Sequence, residues 1–391
     1  MEYRDAKARV IAFYLPQYYP TDVNDRAWGK GFTEWTNVAK AKPQFRGHYQ
    51  PQIPADLGFY DLRLPEVREE QAKLAREHGV EGFCYWHYWL GNGKKLLDRP
   101  FREVLKSGKP DFPFCLGWAN HSWSKKTWTV DNNTEDTMIA EQLYLGEEDY
   151  ISHFYDVLPA FKDNRYITVE GKPLFLVFDP FSIPDTRVFI DSWNKLAKEN
   201  GLSGVYFVAR PVSISLGSRE LQSLLIRNKK YDIERLSEKR YHSLMNIGYN
   251  GICSHTITYA ELMAGGSWKT GIRRFINKYT PYNMVQKYEY REIIKYLNIE
   301  AEREDNIFPS IIPRFDRTPR EPGARVFNNS TPELFHKQVQ RALDLIMDKE
   351  YDKRIMFLVA WNEWGEGNYI EPDLKFGHGY LEALRDCILP S

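Results

Sequence analysis

Short apolar runs, each followed by a longer segment of helical period, recur from one end of this chain to the other. That alternation predicts a parallel sheet, because parallel neighbours need a crossover rather than a tight turn. The runs read as strands are Arg9–Pro16, Val80–Trp86, Phe112–Trp118, Pro173–Phe178, Gly204–Ala209, Gly251–Ser254, Ile307–Ile312 and Ile355–Trp361. The helical segments are Pro65–Arg76, Pro100–Lys106, Glu147–Phe161, Thr186–Asn200, Ser218–Met245, Tyr259–Asn298, Pro332–Met347 and Gly379–Ile388. Pro65 and Glu66 suit a helix start, and Gly201 a helix stop. A helix after every strand predicts a (β/α)8 TIM barrel, a single domain over residues 1–391 with long βα loops. A doubly wound open sheet is the rival, and it calls for a glycine-rich phosphate turn after the first strand. Here that strand runs into Leu15-Pro16-Gln17-Tyr18-Tyr19-Pro20, and no such turn occurs elsewhere.

Lys and Arg number 53 and so do Asp and Glu, which removes the electrostatic case for a nucleic acid or an anionic membrane surface as main partner. The 11 Trp and 25 Tyr point instead to sugars, whose C–H faces and hydroxyl rims match rings with polar tips. Cys84, Cys115, Cys253 and Cys387 are far apart and read as small buried hydrophobes. The opening residues show no signal peptide, and no stretch is apolar enough to be an integral membrane segment, so a cytoplasmic protein is expected. No cofactor and no metal are expected. His87, His121, Asp179 and Asp316 are the nearest to a donor set, and their spacing does not demand one.

In a barrel of this kind the active site lies at the C-terminal ends of the strands. The residues there are chemically unusual: Tyr14 and Gln17 after the first strand, Trp86-His87-Tyr88 after the second, and Trp118-Ala119-Asn120-His121 after the third. Asp179 follows the fourth, Arg210 the fifth, and Arg314-Phe315-Asp316 the seventh. The eighth ends in Trp361-Asn362-Glu363-Trp364-Gly365-Glu366-Gly367. Two carboxyl groups three residues apart, among aromatic rings, suit glycosidic cleavage, which needs one group to protonate the leaving oxygen and one to act on the sugar. Burial and a neighbouring charge are the conditions that keep a carboxylic acid protonated near neutrality. The bland alternative is one Glu capping the turn and the other solvated.

The segments Ala12–Tyr18, Gly31–Trp35, Gly82–Trp89 and Trp361–Gly367 resemble the WbsX family, which is related to the glycoside hydrolase family 99 endo-α-mannosidases. The resemblance covers nearly the whole chain and is weakest over residues 218–307. It implies a (β/α)8 barrel acting on an α-mannoside or related sugar in a bacterial surface polysaccharide such as an O-antigen. It also implies that Glu363 removes the proton of the substrate's own 2-hydroxyl and that Glu366 is the acid/base. A 1,2-anhydro sugar would then form and be opened by water with net retention. The candidate substrate-binding set is Tyr14, Gln17, Trp35, Trp86, His87, Tyr88, Trp118, Asn120, His121, Arg314, Asp316, Trp361 and Asn362. The expected partner is an oligosaccharide or polysaccharide.

A retaining hydrolase is one reading, and a WbsX-type glycosyltransferase of lipopolysaccharide biosynthesis the other. A transglycosylase or a non-catalytic sugar-binding barrel are lesser variants. The chain has no Asp-x-Asp pair, no phosphate-cradling glycine loop and, in sequence, no basic cluster expected beside the paired glutamates, which favours the hydrolase.

Overall fold

The computed structural model describes residues 6–128, 137–211, 230–265 and 284–390. Nine parallel segments form a nearly closed barrel: β1 (Arg9–Tyr14), β2 (Val80–Trp89), β3 (Phe114–Trp118), β4 (Lys172–Val177), β5 (Tyr206–Ala209), β6 (Gly251–Cys253), β7 (Ile307–Phe308), β8 (Ser310–Ile311) and β9 (Ile355–Leu358). Their hydrogen-bonded order is β7-β6-β5-β4-β3-β2-β1-β9-β8. The expected seventh strand is thus two pieces flanking Pro309. Proline has no N–H for a ladder, so Ile307 pairs with Ile252 on one side while Ser310 pairs with Phe357 on the other. Chain continuity through Pro309 joins the two ends of the sheet.

Besides a single helical turn at Tyr290–Ile293, the described helices are α1 (Asp22–Trp28) and α2 (Glu34–Lys40), both within the loop after β1, then α3 (Pro65–Glu77), α4 (Arg99–Ser107), α5 (Glu147–Phe161), α6 (Thr186–Glu199), α7 (Lys230–Ile247), α8 (Ile257–Gly265), α9 (Pro332–Ile346) and α10 (Gly379–Ile388). Local chemistry starts them where expected: Pro65 opens α3, and Thr331 caps α9 by accepting from Leu334 N. Of the expected helix Ser218–Met245, residues 218–229 lie outside the described residues. The expected helix Tyr259–Asn298 is not continuous. Residues 266–283 lie outside the description, and Gln286–Glu289 is a strand pairing in parallel with Arg325–Asn328. Only Tyr288 in that short strand is buried, an alternation that a helical reading misses.

All six residues of β1 are buried, as a strand covered on both faces requires. Phe13 and Trp86 stack inside the barrel with ring centroids 4.7 Å apart. Gly117 makes room for them, since a Cβ there would lie 3.0 Å from the Trp86 ring. Outside the barrel, Trp193 of α6 packs against Phe154, Phe161, Phe175 and Phe189, and its Nε1 donates to Tyr150 O at 2.8 Å. At the N-terminal end Arg9 ties β1 to Glu81 at 2.8 Å and to Asp352 at 2.6 Å. Among the described residues no helix is long and apolar enough to cross a membrane.

Replacing Trp193 by Ala empties a fully buried site outside the barrel, away from the cavity lining. Urea unfolding is expected to show a loss of about 3–5 kcal/mol, with ligand binding unchanged under conditions where the variant is folded.

Candidate active site

The C-terminal ends of the strands enclose a cavity of about 680 Å³. β1 contributes Phe13, β2 Trp86 and Tyr88, and the segments after β3 to β6 contribute His121, Phe178, Arg210 and His255. Arg317, Arg320 and Arg325 enter from the loop after β8, and Glu363 and Glu366 from the turn after β9.

The two glutamates face one cavity because of the turn that carries them. Trp364–Glu366 is a single 3-10 turn with Glu363 as its cap, and Glu366 N bonds Glu363 O at 3.2 Å. Residues three apart eclipse in that geometry. Gly367 ends the turn with φ +58°, and a Cβ there would lie 2.9 Å from Asp316 N. Asn362 buckles the turn to β1, accepting from Leu15 N at 2.7 Å and donating to Leu15 O at 3.0 Å. Trp364 donates from Nε1 to Glu371 at 2.6 Å, and Glu371 in turn accepts from Gln71 and Tyr60.

Arg320 binds the pair from above Trp128, 4.6 Å from that ring's centre. Its Nη1 donates to Glu366 Oε1 at 2.5 Å, its Nε to Glu34 Oε1 at 2.9 Å, and its Nη2 lies 3.6 Å from Glu363 Oε1. Glu34 is delivered by the start of α2, where Thr33 is the cap and its N–H donates to Thr36 Oγ1 at 3.3 Å. Gly365 is the only residue type that fits opposite, since a Cβ there would sit 1.4 Å from Glu34 Oε1.

These neighbours split the pair. Burial, then the charge of Glu366, raises the Glu363 carboxyl to about 7 against the opposing pull of Arg320. Burial acts the same way on Glu366, but Arg320, Arg317, Arg325 and Arg210 together outweigh it and hold that carboxyl below its ordinary value. Below about pH 7 the Glu363 carboxyl keeps its proton while the Glu366 carboxyl is held toward its ionised form. His121 is pushed down to about 4 by burial, and His255 well below its ordinary value by burial and the charges of Arg210 and Arg325, so both imidazoles are neutral.

Of the candidate catalytic and substrate-binding residues, Glu363, Glu366, Trp86, Tyr88 and His121 line this cavity. The others lie outside its lining, for reasons that are mostly those of strand geometry. Side chains alternate between faces, so Tyr14, His87 and Trp118 point outward. Tyr14 donates to Gln71 at 2.7 Å, His87 Nε2 lies 2.9 Å from His153 Nε2, and Trp118 donates to Trp89 O at 2.8 Å. Asn120 bridges to the Asp179 backbone at 2.8 Å, and Trp35 donates to Tyr60 O at 2.8 Å. Asp316 is held by His48 at 2.7 Å and Gln50 at 2.6 Å, and Arg314 by Asp373 at 2.5 Å. Gln17, Trp361 and Asn362 are fully buried behind the turn. Among the described residues no three His, Cys, Asp or Glu side chains converge as a metal donor set.

One expectation is overturned: a basic cluster does stand beside the glutamates. Arg210, Arg317, Arg320 and Arg325 all reach the cavity. Three belong to the one segment that follows β8, spaced irregularly among Pro, Gly and Glu, and the fourth directly follows β5, over a hundred residues earlier. Their convergence is a property of the barrel. The sequence signal was present for Arg210 and for His255, which sits two residues past β6 as the other strand-end residues do.

A sequence model of the family described as Glycosyltransferase WbsX matches residues 10–384. The chain belongs to the WbsX family. Two relatives named Uncharacterized protein WxcX, from two strains of Xanthomonas campestris pv. campestris, are each 31% identical over 385 residues, covering 97% of this chain. This WbsX chain spans about half the length of the curated relatives it matches, 50% in each case. Among solved structures, one described as a glycoside hydrolase-like protein is similar with a TM-score of 0.60 at 13% identity, covering 100% of this chain and 96% of that one. A GH99 endo-alpha-mannosidase from Bacteroides thetaiotaomicron in complex with Bis-Tris-propane gives 0.52 at 14% identity, covering 97% and 95%. The WbsX barrel therefore has a glycoside hydrolase-like fold.

Replacing Arg320 by Met strands the buried Glu34 carboxylate and frees Glu366. Denaturation is expected to report a loss of about 3–5 kcal/mol, the cost of breaking one side of a buried ion pair.

Proposed function

We propose that this chain is a single catalytic barrel domain that cleaves a glycosidic bond with retention, acting on α-mannoside-type linkages in a bacterial surface polysaccharide. The observation that supports it most directly is that one turn presents Glu363 and Glu366 to the same cavity, in surroundings that raise the first carboxyl and lower the second. Glycosidic cleavage needs that combination. Among the described residues no third carboxyl group lines the cavity, which suits a substrate that supplies its own nucleophile.

In such a reaction the ionised carboxylate removes the proton of the sugar 2-hydroxyl, and that oxygen attacks the anomeric carbon. The protonated carboxyl gives its proton to the departing oxygen as the glycosidic bond breaks. Water then opens the 1,2-anhydro sugar, losing a proton to the former acid while the former base returns its own to the 2-oxygen. Both carboxyls end as they began. The family resemblance gives the base to Glu363 and the acid to Glu366. The ligand-free charges favour the reverse, with the proton on Glu363 and Glu366 ionised beside Arg320. Trp86 and Tyr88 offer ring faces to the sugar.

A second reading, transfer from a nucleotide sugar, is favoured by the four arginines and by the family's description. Mass spectrometry of oligosaccharides incubated with and without nucleotide sugars separates the two. Nucleotide-free shortening fits the hydrolase, and extension that depends on a nucleotide sugar fits the transferase.

Glu363→Gln and Glu366→Gln should each lower turnover of natural glycans by about 10²–10⁴-fold. Aryl glycosides with an acidic phenol as leaving group need no proton donor, so they should be cleaved by the variant lacking the acid and not by the variant lacking the base. Rescue of Glu363→Gln is expected, and rescue of Glu366→Gln would instead return the roles to those of the resemblance. With Glu363 as the acid, kcat/KM on natural glycans should fall as pH rises through about 7, where its proton is lost, and that limb should be absent from a wild-type pH profile taken on the aryl substrate.

A further inference from the structure

The four cavity arginines are not equivalent. Arg320 is matched by Glu34 and Glu366, and Arg325 by Glu261. Arg317 is part-exposed and lies 3.8 Å from both Glu321 and Glu366. Arg210 is 6% exposed, and no carboxylate is within ion-pair distance of it among the described residues. Its Nε has no hydrogen-bond partner there. Its charge acts on the Cys253 thiol, with which it shares a hydrogen bond, and on the neutral His255 imidazole, neither of which neutralises a guanidinium, and it acts on Glu363 and Glu366 only from beyond ion-pair distance.

Its position is nonetheless fixed. Arg210 directly follows β5, and its N–H donates to Val177 O at 2.8 Å, continuing the ladder with β4. The rings of Phe13, Phe178 and Trp86 hold the guanidinium, with centroids 4.8, 5.5 and 5.9 Å from Cζ. Cation–π contact offsets part of the cost of burying the charge, but ring faces take no hydrogen bonds from the planar edge of the fork. An unmatched, withdrawn guanidinium set rigidly in the wall of a sugar-sized cavity has the form of an anion receptor, because that fork matches a carboxylate or phosphate with two parallel bonds.

We infer that Arg210 is a specificity subsite for an anionic substituent, a sugar carboxylate or a sugar phosphate, on the residue bound beside Glu363 and Glu366. This rests on the reading of the cavity as a sugar site and names the class of sugar it takes. The substrate is then an acidic glycan rather than a neutral one. Its charge would fall among aromatic rings and arginines, away from solvent, where a charge-assisted pair discriminates most strongly.

The test is calorimetric titration of the full chain with glucuronate and mannuronate, with hexose 6-phosphates, and with glucose and mannose, all at one ionic strength. One anionic series should bind about tenfold or more tighter than the neutral sugars, the scale of a single charge-assisted hydrogen-bonded pair. Preference for the uronates identifies a carboxylate as the group held, and preference for the hexose phosphates a phosphate. Arg210→Met, or Arg210→Gln if the first variant does not fold by circular dichroism, should erase the preference. Equal binding of charged and neutral sugars, no binding of either anionic series, or a preference that survives loss of the Arg210 charge overturns the assignment. Binding is read without turnover. Selective binding without cleavage removes the hydrolase reading and keeps the anion subsite, and cleavage of neutral glycans alone does the opposite.

Discussion

A guanidinium buried among three carboxyl groups holds the site together. Arg320 arrives on the loop after β8, Glu34 on the loop after β1, and Glu363 with Glu366 on the turn after β9. Trp35 and Trp364 pack together where two of these segments meet, with ring centroids 5.5 Å apart, and the charges and hydrogen bonds of Arg320 tie all three segments at the cavity. The arrangement is stable only as a complete set, because a buried charge deprived of its partner costs several times what an exposed one does. It also explains Gly365, whose missing side chain leaves the space that the Glu34 carboxylate occupies.

Behind this charged layer stands a second one with a different task. Asn362, Tyr18, Trp364 and Glu371 fasten the turn that carries Glu363 and Glu366 to β1 and to the long first loop. His87, Trp118 and Asn120 fasten the outer faces of β2 and β3 to α5 and to the strand that follows. Polar side chains at strand ends therefore sort by face. Those pointing into the barrel meet the cavity, and their neighbours one position away are bound to the scaffold, where their hydrogen-bonding capacity is already used.

The same sorting gives the cavity a character that bulk composition conceals. The chain as a whole is neutral, with 53 residues of each sign, yet four arginines converge on two glutamates. A local field of this kind decides which carboxyl is ionised and which substrate is drawn in, whereas net charge speaks to solubility and non-specific binding. It lowers one glutamate and leaves burial to raise the other, which is how two chemically identical groups separated by one turn come to hold their protons differently.

Sequence by itself determined the barrel, since eight apolar runs with helical crossovers admit few other closures, and it determined the turn, since Glu363 and Glu366 are separated by one short helical step. It could not see that Pro309 divides the seventh strand, because the division follows from which neighbours each half meets. Nor could it assign His87 and Trp118 to the outer face, because the phase of a strand that is apolar on both sides is set by what packs on it. The arginine cluster is the clearest case. Arg210 and Arg320 are 110 positions apart, and only the closing of the sheet brings them to one cavity, where distance in space rather than along the chain governs electrostatics.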